Sequence, residues 1–196
     1  MSRSKLIHDS FSAPEPSIAA EPVLTWRTWA LAGSRDGVEV RLMPIVGDTH
    51  PWPVREPNHA HCTLRRRHDG VPEVGCSCGL YGTDRDEVLR RTRSPAVLGR
   101  VALWGRIVEH ALGYRAEYAY PQRLRLVCFV CFWRRGSKAA TCDIVIRHRG
   151  GRLVPLCGPD LELAERYGYP VHDVRPALDV ERTLLATYAV DRLAAA

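Results

Sequence analysis

The sequence predicts an α+β fold: a β-rich core with a short inserted helix, followed by C-terminal helices. Three observations predict it. Apolar and polar residues alternate with period two in several runs before residue 157. Gly and Pro clusters punctuate those runs, as turns do. Beyond residue 157 the apolar spacing changes to that of an amphipathic helix.

Residues 1–21 are dominated by Ser, Pro, Ala and Glu, have little to bury, and read as a disordered tail. Order is expected from Pro22, with a short strand around Trp26 and Trp29. A turn over 33–37 and the alternating Val38-Glu39-Val40-Arg41-Leu42 make this a β-hairpin. Pro51, Pro53 and Pro57 mark a loop. Thr83 or Asp84 can cap a helix running to Arg91, with acidic residues in its first turn and arginines at its end, matched to the helix dipole. Pro95 ends it. Val97 to Val108 reads as a buried strand around Trp104. Past the Gly113 turn, Tyr114, Ala116, Tyr118 and Tyr120 alternate with Arg115, Glu117 and Ala119 as an antiparallel partner. Two more strands, 143–147 and 152–156, flank the turn Arg149-Gly150-Gly151. One helix is expected from Pro159-Asp160 to Gly168. A second is expected over 179–193, with Val180, Leu184, Leu185, Tyr188 and Leu193 on one stripe. The expected organisation is a core domain over 22–126 and a second module over 127–196.

No apolar run approaches the roughly 20 residues of a membrane-spanning helix, and residues 1–22 contain no apolar segment of the secretory type. A cytoplasmic, reducing location is therefore expected, with no membrane contact. The net charge is +6, and it is unevenly spread. Residues 1–61 carry 6 basic and 7 acidic side chains, 62–152 carry 18 and 8, and 153–196 carry 4 and 7. A basic block of this kind suits a polyanion. With only two lysines, Lys5 and Lys138, it equally suits an Arg-rich solvated surface.

The seven cysteines are Cys62, Cys76, Cys78, Cys128, Cys131, Cys142 and Cys157. An odd, clustered set in a reducing compartment points to metal rather than disulfides. The spacing Cys128-x2-Cys131-x10-Cys142-x14-Cys157 resembles a zinc-ribbon or treble-clef pattern. A C-x2-C turn aims two thiolates at one ion, and two later thiolates complete a tetrahedron. The expected fold therefore includes a zinc-ribbon-like cysteine module. Where related patterns end in C-x2-H, this chain has Cys157-x2-Asp160. Buried, metal-free cysteines and an iron–sulfur cluster are the alternatives. The second expected set is Cys62, Cys76 and Cys78 with His61; His59, His68 and the more distant His110 are the other candidates. Gly79 permits a tight turn after Cys76-Ser77-Cys78. A reactive Cys76–Cys78 pair is the alternative there.

The strings Trp26-x2-Trp29, Trp52-Pro53, Cys76-Ser77-Cys78-Gly79-Leu80-Tyr81, Gly99 to Gly105, Glu109-His110 and Gly113 to Pro121 together resemble a group of small, uncharacterised actinobacterial proteins. The resemblance covers roughly residues 24–126. It implies an actinobacterial source and a cytoplasmic setting, and brings no catalytic residue.

Catalytic motifs are missing. There is no P-loop, no Rossmann glycine signature, no G-x-S-x-G and no H-E-x-x-H. The deaminase order His-x-Glu…Pro-Cys-x2-Cys is also missing. The expected function is therefore a non-enzymatic zinc-binding protein, nucleic-acid-binding or regulatory, with nucleic acid met through Arg65, Arg66, Arg67, Arg90, Arg91, Arg134, Arg135, Arg147 and Arg149, near Phe129, Phe132 and Trp133. A protein-interaction adaptor, using Tyr114, Tyr118, Tyr120 and the C-terminal helix, is the alternative. A zinc- or cysteine-dependent enzyme is the third reading.

Overall fold

The structure is a computed structural model that describes residues 17–34, 38–46, 49–62, 64, 68–139, 141–166, 168 and 172–194. In chain order the strands and helices are β1 (Ser17–Gly33), β2 (Val40–Met43), β3 (Asn58–His59), β4 (Leu80–Gly82), β5 (Val97–His110), β6 (Gly113–Leu126), α1 (Phe129–Arg135), β7 (Ile144–Arg147), β8 (Arg152–Leu156), α2 (Leu161–Arg166), β9 (His172–Pro176), α3 (Ala177–Tyr188) and β10 (Asp191–Arg192). Four short 3-10 turns join them, including Asp86–Arg91 and Gly158–Asp160. The fold is α+β, as the sequence predicts, and rich in strand.

The strands form one curled sheet in the order β10-β6-β5-β1-β8-β7-β9, with β2 on β1 and with β3 and β4 on β6. The central strand β1 is longer than the alternation suggested. It begins at Ser17, inside the segment expected to be a disordered tail; residues 1–16 lie outside the described residues. Its first part pairs antiparallel with β5, from Ser17–Ile107 to Trp29–Val97. Its last residues pair with β2 and β8. The sheet therefore runs across the expected boundary at 126/127.

The hairpin of β5 and β6 forms the antiparallel pair expected from the alternation, closing at His110–Gly113. Gly113 has φ +135°, and a Cβ there would lie 2.3 Å from the Gly82 carbonyl oxygen, so only glycine fits this close approach of β4. The segment expected to be a helix over 83–91 is instead a 3-10 turn over Asp86–Arg91. Thr83 Oγ1 accepts from the Arg85 amide at 3.1 Å, and Thr83 itself bridges to Trp26 in the sheet. The capping residue is thus held extended, and the helix has no room to start earlier.

The core lies where alternate residues of β1, β5 and β6 meet α3. Trp29 and Trp52 meet edge to face at 5.3 Å between ring centroids, among Leu31, Leu42, Val101, Leu103 and Leu124. Helix α3 contributes Ala177, Val180, Leu184 and Tyr188, the i, i+3, i+7, i+11 face of an amphipathic helix. It stops at Tyr188 because Ala189 turns left-handed (φ 50°, ψ 49°). Leu193, expected on the same stripe, belongs instead to a neighbouring cluster with Leu98, Val127, Phe132 and Ala139. Glu181 is buried on α3, where it accepts from the Leu126 amide at 3.1 Å and pairs with Arg192 at 2.8 Å.

Tyr188 anchors α3. Its fully buried hydroxyl accepts from the Leu42 amide at 3.0 Å and donates to the Trp52 carbonyl at 3.1 Å. Tyr188→Phe strands a buried donor and a buried acceptor. It is expected to lower unfolding free energy by about 2 kcal/mol, read as a shifted urea midpoint with an unchanged m-value.

Candidate metal centres

All seven cysteines are free thiols. Six of their sulfurs converge in two places, with separations far outside the roughly 2.05 Å of a disulfide.

The first group is Cys128, Cys131, Cys157 and Asp160. β6 ends at Leu126, and Cys128, in extended backbone, is the N-cap of α1. That helix was not legible as a helix, because its seven residues, Phe129–Arg135, are too few to show a period. The helical turn brings Cys131 round beside Cys128. From the other side, β8 delivers Cys157, which caps the 3-10 turn Gly158–Asp160 and so brings Asp160 under its own sulfur. Cys131 and Cys157 Sγ lie 3.4 Å apart, and Cys157 and Cys128 Sγ 3.9 Å apart. Asp160 Oδ2 is 3.3 Å from Cys128 Sγ, 3.3 Å from Cys131 Sγ and 2.7 Å from Cys157 Sγ. A tetrahedral ion with metal–sulfur bonds of about 2.3 Å has sulfur–sulfur edges of about 3.8 Å, so these spacings fit one ion at the centre.

Cys142, expected as a ligand, is not in this group. It is half-buried and packs between the main core and the cluster that holds Cys128, Cys131 and Cys157 themselves, so it neighbours the group as a small apolar side chain. Asp160 stands in its place. The signal was present in the sequence as Cys157-x2-Asp160, the spacing of the Cys128–Cys131 pair.

Burial dominates the electrostatics. It pushes the Cys128 thiol up to about 11, aided by its hydrogen bond to Asp160, and raises Cys157 further still. Burial also works to raise Asp160, but hydrogen bonds from the three thiols outweigh it and hold the carboxyl below its ordinary value, with Arg134 adding attraction. A bound cation reverses this balance, since it stabilises the thiolates directly.

The second group is Cys62, His68, Cys76 and Cys78. The histidine is His68, not the expected His61, which is exposed and lies outside the group. Cys62 and Cys76 Sγ are 3.8 Å apart, the tetrahedral edge again. Cys76 and Cys78 are buried. His68 Nε2 is sealed from solvent with no hydrogen-bond partner among the described residues, a costly state for a polar atom that metal ligation would relieve. Burial raises the Cys78 thiol, opposed by a backbone hydrogen bond at Glu73.

The loop carrying these ligands has almost no secondary structure of its own. A buried arginine on β6 braces it: Arg115 Nη1 donates to the carbonyls of Glu73 (3.1 Å), Cys78 (2.9 Å) and Cys76. Gly79 follows at φ +120°, and a Cβ there would meet Arg115 Cβ and Pro72 Cβ at 3.0 Å. The turn and the arginine thus fit together only with glycine at this position. His59 lies elsewhere, 3.7 Å from Glu117 and stacked on Tyr118.

The arginines expected to meet nucleic acid are dispersed. Arg65, Arg66 and Arg67 lie outside the described residues, as do the side chains of Arg91 and Arg149. Arg147 binds Asp173 at 2.9 Å and the carbonyls of Gly33 and Ser34. Arg90 donates to the carbonyls of Trp133 and Arg134. Arg134 and Arg135 are exposed at the end of α1.

No protein-family model, no curated protein and no solved structure matches this chain. Fold and clusters together define an α+β protein with two four-donor groups, each able to hold a metal ion. Among the described residues, no helix is long and apolar enough to cross a membrane.

Titration with Co²⁺ under reducing conditions tests the donor sets through thiolate-to-cobalt charge transfer. Cys157→Ala and Asp160→Ala are expected to remove or weaken one site, and His68→Ala the other. Cys142→Ala and His61→Ala are expected to leave both unchanged. Loss of a site in Cys142→Ala, with Asp160→Ala silent, would contradict the assignment.

Proposed function

We propose that this is a non-enzymatic, cytoplasmic zinc protein whose two metal centres are structural and whose α1 face contacts single-stranded nucleic acid. Zinc is favoured by the donor chemistry, thiolate-rich with one imidazole or one carboxylate per set. Sulfur edges of 3.4–3.9 Å leave room for one ion between the ligands, which argues against a multi-iron cluster. Four protein donors per ion leave no open position for substrate, which favours a structural role. A reducing compartment keeps the thiols available.

One observation carries the nucleic-acid reading: Trp133 is 73% exposed on α1, two residues after a ligand cysteine. Arg134, Arg135 and Lys138 stand beside it, all exposed. A large exposed aromatic among cations suits a stacked base and its phosphates. Arg90 fastens the last turn of α1 through the Trp133 and Arg134 carbonyls, so the indole stands on a braced support. The adaptor reading has less support. Tyr120 donates to the Tyr188 carbonyl at 2.5 Å, Tyr118 stacks on His59 and Trp104, and the apolar face of α3 is buried.

A mobility shift with a single-stranded oligonucleotide, repeated across salt concentrations, tests this. Binding is expected to weaken steeply with salt. Trp133→Ala is expected to cost about tenfold, the worth of one stacked base. Arg134→Ala with Arg135→Ala is expected to lower the salt slope by about 1.4, the share of two phosphate contacts on a single strand. No shift at low salt would overturn the nucleic-acid reading and leave the zinc reading standing.

A further inference from the structure

A cavity of about 550 Å³ opens between β1, β4, the 3-10 turn at Asp86–Arg91 and the Cys76–Gly79 turn. It adjoins the Cys62 donor set, whose Cys78 forms part of one wall together with Gly79. Its lining is largely apolar and aromatic, with Trp26, Trp52, Leu80, Val88 and Leu89 among the walls. Two polar groups in it have unmet hydrogen-bonding capacity.

The first is Arg27. Its guanidinium lies over the Trp52 ring at 5.0 Å and near the Trp29 ring at 5.9 Å. One terminal nitrogen donates to the Tyr81 carbonyl. Nε is sealed from solvent without a partner, and no carboxylate pairs with the group among the described residues. Burial pulls Arg27 down to about 10, leaving it charged at neutral pH. A half-buried cation held, among the described residues, by aromatic faces and one carbonyl is incompletely compensated.

The second is His110. Its Nδ1 accepts from the Leu112 amide at 3.3 Å, which makes Nε2 the protonated nitrogen of the neutral ring. That Nε2–H is buried and has no acceptor among the described residues. Burial and the nearby Arg115 hold His110 below its ordinary pKa. Tyr81 stands between the two donors, its carbonyl on Arg27 and its ring edge-on to His110 at 5.8 Å.

We propose that this cavity is a binding site for an apolar or aromatic monocarboxylate, with Arg27 as counter-ion and His110 Nε2–H as a second donor. The volume is in the range of small-molecule sites. The apolar walls take the body of the ligand, and the planar fork of an arginine matches a carboxylate. One cation and one neutral donor suit a single negative charge.

The test is a fluorescence titration of the purified full chain with anthracene-2-carboxylate and, separately, with the uncharged anthracene-2-carboxamide. The carboxylate is expected to bind one per chain and roughly tenfold more tightly than the amide, the worth of a charged hydrogen-bonded pair. Arg27→Met is expected to erase that difference while leaving the amide's affinity alone, and Arg27→Lys to retain part of it. Should Arg27→Met not fold, the wild-type comparison decides by itself. Equal affinity for the two probes, or no binding of either, would overturn the proposal. So would an Arg27→Met protein that still prefers the carboxylate.

Discussion

Convergence of the two Cys-rich donor groups is the constraint on which the second half of this chain and the loop before β4 depend. Helix α1 has seven residues, too few for an isolated helix to persist in water. The Gly158–Asp160 turn is shorter still. These two pieces meet at three sulfurs and one carboxylate oxygen. Without a cation, ionising these groups sets like charges against one another in a buried place. With a cation, the same closeness becomes attraction, and a few short segments become one rigid support beside the sheet. The Cys62 group does for its loop what the Cys128 group does for α1. In both cases the sheet supplies the frame and the ligands supply the closure.

Arginine has a second structural role that its count alone concealed. The +10 excess of residues 62–152 suggests a broad polyanion footprint. Much of it is turned inward, onto backbone carbonyls: Arg115 on the Cys76–Cys78 turn, Arg125 on Ala139, Arg147 on Gly33 and Ser34, Arg152 on Ser94. In a protein with long irregular loops, guanidinium groups satisfy carbonyls that no helix or ladder reaches. What remains outward at the end of α1 is small, and it is centred on Trp133.

The parts of this molecule that were legible in its sequence are those with a period. The β5–β6 hairpin, β7, β8 and the buried face of α3 follow from alternation or helical spacing. Structure imposed by long-range contact was not legible. The start of β1 at Ser17 depends on pairing with Ile107, ninety residues away. The 3-10 form of Asp86–Arg91 depends on Thr83 being held by Trp26. At the metal groups, the cysteine pairs were visible by spacing, but the fourth donors were not chosen by proximity in sequence. His61 adjoins Cys62 yet faces outward, while His68 turns in. Cys142 has the right chemistry, but it packs half-buried between the core and the group rather than within it. Asp160 has the less familiar chemistry and sits three residues after Cys157, on the turn that aims it.

The central claim is that each four-donor group holds a zinc ion. Native mass spectrometry of the purified protein, with elemental analysis of the same sample, tests it most directly. The account predicts a mass increment of two zinc ions per chain, one for each group, lost together with compact charge states when a chelator is added under reducing conditions. A chain that is compact, fully reduced and free of metal would contradict it.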